Sequence, residues 1–95
     1  MTEEKKQTVL ERGLEAKKFI EAPSYQKVLN SLIDECISAW ASSKIEDKEK
    51  REAIWHRYQS TISFHSTLQS WIASMEQEQQ AQELDEPKKN NTEIH

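Results

Sequence analysis

The stretch from Asp47 to Met75 reads as one long helix whose apolar stripe moves round its axis partway along. The first half places Ile54, Trp55, Tyr58 and Ile62 on an arc of about 0° to 100°, with Ile54 as zero. Phe64, Leu68, Trp71, Ile72 and Met75 follow on an arc of about 260° to 0°. A stripe that turns in this way meets different neighbours along its length. The helix is therefore the spine of an all-α fold.

The rest of the chain supplies the neighbours. A first helix is predicted from Thr2, an N-cap candidate, to about Ile20, with Val9, Leu10, Gly13, Leu14, Ala16 and Ile20 on one side. Gly13 is the single glycine of the chain. Mid-helix it costs roughly 1 kcal/mol relative to alanine. It marks either a close approach with Ala16 to another helix or a tolerated kink. Ala22-Pro23-Ser24 breaks the pattern, since proline disfavours helix at the residue before it and suits the first turn of the next. A second helix over 24–42 carries Tyr25, Val28, Leu29, Leu32, Ile33, Cys36, Ile37 and Trp40 across about half its surface. Ser43 with Glu46 fits a capping box, and Asp47 is the alternative cap. Opposite charges at i,i+4 follow, namely Glu46–Lys50, Asp47–Arg51 and Lys48–Glu52.

So short a loop makes helices two and three antiparallel neighbours. Folding about residues 44–45 brings Cys36 to Ile54, Leu32 to Tyr58, and Tyr25 to Phe64 or His65. Helix two then runs out while helix three continues through Trp71 and Met75. The expected architecture is a long antiparallel helical hairpin with the N-terminal helix packed across its open end. Residues 1–84 form a three-helix domain with helices at about 2–20, 24–42 and 47–80. After Met75 the chain becomes Gln/Glu-rich, and residues 85–95, with Pro87 and Lys88-Lys89-Asn90-Asn91, read as a disordered acidic tail.

Charge and cysteine usage exclude several function classes. Residues 61–95 hold six acids against two bases, which accounts for the net charge of −4. Such a chain does not suggest duplex nucleic acid as its partner. The basic group Lys44, Lys48, Lys50, Arg51 and Arg57 is interleaved with Glu46, Asp47, Glu49 and Glu52, so it reads as a helix start laced with ion pairs. No apolar run is long enough for a membrane span, and the polar N-terminus lacks the h-region of a signal peptide. Cys36 is alone, which fits a reducing cytoplasm.

Catalytic and metal chemistry find no anchor. His65 lies mid-stripe and reads as a core histidine bonded to Tyr25 or Thr61 rather than as a base or pH switch. His56 and Glu52 are one turn apart on a charged face without a pocket to serve. Cys36 and His65 stand about three turns apart, and no Glu-x-x-His pair occurs. The expectation is a non-enzyme with no cofactor and no metal. Tryptophan is enriched at interface hot spots, and Trp40, Trp55 and Trp71 sit at the edges of their arcs. With Phe64 and Met75 they are the candidate partner-binding residues.

Arg12-Gly13 and Ala16 precede a proline-led helix ending at Trp40, followed by Asp47, Arg51-Glu52, Ile54-Trp55 and Leu68. Over residues 11–72 the chain resembles small uncharacterised helical proteins of tailed bacteriophages and gene-transfer agents, found among head-morphogenesis genes. Those proteins close with a Gly-containing segment where this chain has its Gln/Glu-rich extension. The resemblance carries over no catalytic residues. It implies a phage-encoded accessory or virion-assembly protein, acting in the host cytoplasm or the virion through a phage structural protein or self-association. Two other classes stay open: a small regulatory protein that inhibits a host enzyme, and a nucleic-acid-binding accessory.

Overall fold

The computed structural model of the protein describes residues 2–84 in full and residues 85–94 by their backbone alone. It is all-α, with three helices in chain order: α1 (Glu3–Glu21), α2 (Pro23–Ser42) and α3 (Lys48–Ile94). The first two agree with the sequence-predicted bounds to within one residue. The third continues past residue 80, through the Gln/Glu-rich stretch. The disordered tail expected over 85–95 lies outside the fully described residues.

Each boundary has a local cause. The Thr2 hydroxyl accepts a hydrogen bond from the Lys5 backbone N–H at 3.2 Å, which caps α1 as its side chain predicts. Ala22 is extended, with φ −65° and ψ 126°, because Pro23 disfavours the helical conformation there. One residue therefore separates α1 from α2. At the start of α3, Asp47 is the cap: its carboxylate accepts the Lys50 N–H at 3.3 Å, and its carbonyl accepts the Arg51 N–H at 3.1 Å. The Ser43–Glu46 capping box does not form. Ser43 closes α2 instead, with its hydroxyl donating to the Trp40 carbonyl at 2.6 Å. Of the three i,i+4 ion pairs expected after Ser43, none closes among the described residues. An exposed pair gains too little to fix two long side chains, and Arg51 has other partners.

The helices form two compact units. The first joins residues 1–18 to residues from 68 onward, and the second comprises residues 19–67. The division falls between residues 67 and 68, about one turn beyond Phe64, where the second arc of the α3 stripe begins. In the first unit Gly13 and Ala16 of α1 are buried, together with Leu68 and Met75 of α3. A Cβ placed on Gly13 would clash with the Met75 Cβ and lie 2.8 Å from the Trp71 carbonyl oxygen. Gly13 is thus a point of close approach, not a kink. Beside it the Arg12 guanidinium lies 4.8 Å from the centre of the Trp71 ring, leaving that indole half-buried.

In the second unit Tyr25, Leu29 and Cys36 of α2 turn toward α3, whose Ile54, Tyr58, Thr61, Ile62 and His65 are half-buried. The antiparallel register is the expected one. Tyr25 Oη meets His65 Nδ1 at 2.8 Å, and Arg57 meets Glu35 at 3.3 Å further along. Phe19 packs 4.8 Å from Tyr25 and edge-on to Phe64 at 6.4 Å.

Candidate functional site

His65 illustrates how this fold treats a polar group. Thr61, the alternative partner, donates its hydroxyl to the Arg57 carbonyl, which leaves Tyr25 to satisfy the imidazole. The two rings are also nearly parallel, 5.9 Å apart. Burial raises the Tyr25 phenol above its ordinary pKa of 10. A raised pKa means that the native state holds its proton over a range where the unfolded chain has released it. The stabilisation is therefore complete below about pH 10 and declines as pH rises through the native value. In an alkaline spectroscopic titration, one of the two tyrosines is expected to ionise late, and Tyr25→Phe should remove that component. The same substitution costs about 0.5–1.5 kcal/mol at neutral pH through the lost hydroxyl bond. The pair thus joins α2 to α3 through a hydrogen bond and a ring contact.

Among the described residues, no group of three His, Cys, Asp or Glu side chains comes together to hold a metal ion. No helix among them is long and apolar enough to cross a membrane.

The candidate surface lies at the loop end of the α2–α3 hairpin. An open apolar groove of about 1160 Å³ is lined there by the last turns of α2, the connecting loop and the first turns of α3. Cys36 and Ile54 form its floor. Ile37, Trp40, Ile45 and Trp55 form its walls, and Lys48, Glu49, Arg51 and Glu52 surround it. The apolar walls are open to solvent: Ile45 is 78% exposed, Ile37 56%, Trp55 49% and Trp40 42%.

Local structure holds these groups in place. The Arg51 guanidinium lies 4.7 Å from the centre of the Trp40 ring. Its Nε donates to the Ser43 hydroxyl at 2.9 Å, and a second nitrogen donates to the Ser43 carbonyl at 3.4 Å. One side chain thus fixes the end of α2, the loop and an indole. Trp55 stacks on Tyr58 at 5.9 Å. Both indoles are held at the surface and remain about half exposed. Such preorganised, amphipathic rings lose little freedom on binding.

The five candidate partner-binding residues separate into three settings. Trp40 and Trp55 share the groove. Phe64 is 54% exposed and forms an edge-to-face pair with Phe19. Trp71 is engaged by Arg12, and Met75, 2% exposed, belongs to the interior of the first unit. Met75 therefore presents no surface, because the absent side chain at Gly13 lets α1 cover it. Trp55 and Phe64 lie on the apolar stripe yet stand about half exposed, each at the edge of an arc that one facing helix cannot cover. Sequence reasoning passed over Ile37 and Ile45 as binding residues. Ile45 carried a signal, being an apolar residue in an otherwise polar connection.

Compared with known protein-family models, curated proteins and solved structures, the chain matches none.

Proposed function

We propose that this chain is a non-enzymatic helical protein–protein interaction protein, phage-encoded and associated with capsid or virion assembly, that docks through the loop end of its α2–α3 hairpin. The observation that carries the reading is the groove where Ile37, Trp40, Ile45 and Trp55 stand exposed together. Contiguous apolar surface rimmed by polar groups marks interaction sites, and aromatic anchors in such a patch carry most of the binding energy. The phage association rests on the order of residues 11–72 described above.

Mass spectrometry of purified virions from a producing strain tests the reading. Peptides of this chain at a fixed ratio to a structural protein, lost in a Trp40→Ala/Trp55→Ala double variant that remains helical, are the expected result. Particles free of the chain, with stoichiometric capture of one host enzyme from infected cells, would replace it with a regulatory inhibitor.

A further inference from the structure

The two shorter helices are held to α3 in different ways. Among the described residues, side-chain links tie α3 to α2 and its end: Tyr25 to His65 at 2.8 Å, Glu35 to Arg57 at 3.3 Å, and Ser43 to Arg51 at 2.9 Å. No hydrogen bond or ion pair among those residues joins an α1 side chain to α3. The polar pairs of α1 close within α1 itself: Gln7–Glu11, Thr8 to the Glu4 carbonyl, Lys6–Glu3 and Lys18–Glu15.

Apolar burial is uneven in the same sense. α2 buries Tyr25, Leu29 and Cys36, whereas the buried residues of α1 are Gly13 and Ala16. Those two carry one methyl group between them. Burial stabilises in proportion to the apolar area removed from water, so the close approach at Gly13 supplies fit but little area. The larger side chains of α1 stay nearer solvent: Val9, Leu10 and Ile20 are half-buried, and Leu14 is about half exposed. The backbone adds a break. Ala22 is extended and Pro23 has no N–H, so the hydrogen-bond ladder of α1 stops at Glu21 and that of α2 starts afresh. α1 can melt without undoing α2.

We infer that α1 is a detachable cover: residues 3–18 leave α3 in a sub-global opening that bares Leu68, Trp71 and Met75 while the α2–α3 hairpin stays folded. The opening stops at Phe19, which packs on Tyr25 and Phe64 in the second unit. A freed helix of this length is marginal in water, so α1 loses its helix as it leaves. Few buried apolar contacts and few links are the marks of the least stable cooperative segment of a fold. The chain thereby holds a second apolar surface in reserve, built from residues other than those of the hairpin-end groove.

Native-state hydrogen exchange of the full chain, resolved along the sequence and corrected for intrinsic rates, tests this, with circular dichroism to confirm that each variant is helical. In the wild type, amides over 7–18 should exchange at least about tenfold faster than those over 29–40. Tyr25→Phe should speed exchange over 29–40 severalfold and leave 7–18 unchanged, because the Tyr25–His65 bond is present in both the closed and the opened state. Met75→Ala should speed exchange over 7–18 by about tenfold or more, because the opening gives up the contact at Met75. Equal protection of the two segments overturns the inference. So does a Tyr25→Phe variant that speeds both segments alike, which would make the chain one cooperative unit. A Met75→Ala variant that leaves 7–18 unchanged would reduce the opening to fraying. If Met75→Ala fails to fold, the wild type and Tyr25→Phe decide between the two.

Discussion

Replacing Met75 with alanine is expected to destabilise the protein by about 2–5 kcal/mol. Its side chain is the least exposed of the buried apolar residues. The facing position on α1 is Gly13, which has no side chain to move into the space. A site lined on one side by backbone collapses poorly, so the cavity persists and its cost adds to the lost transfer energy. Urea unfolding followed by circular dichroism reads this directly. With a slope of about 1–3 kcal/mol per molar, the midpoint should fall by about 1 M or more. An unchanged midpoint would show that α1 does not hold Met75 in solution.

Gly13→Ala is expected to lower stability by about 1–2 kcal/mol, and here the sign is the test. Two effects oppose each other. Alanine in a helix interior is favoured over glycine by about 1 kcal/mol. Against this, the new methyl would meet the Met75 Cβ and the Trp71 carbonyl oxygen, neither of which lies at the end of a flexible chain. Overpacking of that kind costs about 1–3 kcal/mol, and more where backbone has to shift. Contact therefore outweighs propensity. A stabilised Gly13→Ala variant would mean an open helix face, whereas a destabilised one places α1 against α3 at that turn. Gly13→Leu should prevent the first unit from forming.

The fold was legible in the sequence wherever a residue type permits only one local answer. Pro23 ends one helix and starts the next, whereas the third helix had two candidate caps, the Ser43–Glu46 box and Asp47, of which Asp47 serves. With both ends of α2 placed, simple counting brings Tyr25 to Phe64 or His65, and the hydrogen bond forms with His65. Gly13 was half-legible. Its missing Cβ signals either approach or weakness, and only the position of Met75 decides between them.

The binding surface was less readable. A helical wheel gives the angle of a side chain but not the width of whatever covers it. Trp55 and Phe64 lie at the edges of their arcs and remain uncovered, while Trp71 and Met75, on the same helix, are engaged by α1 residues. Ser43 escaped for a different reason. A serine between two helices can serve the end of one or the start of the next, and Arg51, eight residues on, stabilises the first arrangement.

The two units differ in the span of chain each has to close. The second is a single stretch, residues 19–67, whose contacts can form as the hairpin zips from its loop. The first joins sequence ends, and Gly13 and Met75 are 75 − 13 = 62 positions apart. Loop closure of that length carries an entropic cost before any contact offsets it, so local contacts form sooner. During synthesis α1 therefore emerges first and waits longest. Its small-residue face around Gly13 and Ala16 has no intramolecular partner until Met75 has left the ribosome. Substitutions at Gly13 or Met75 should then speed unfolding far more than they slow folding.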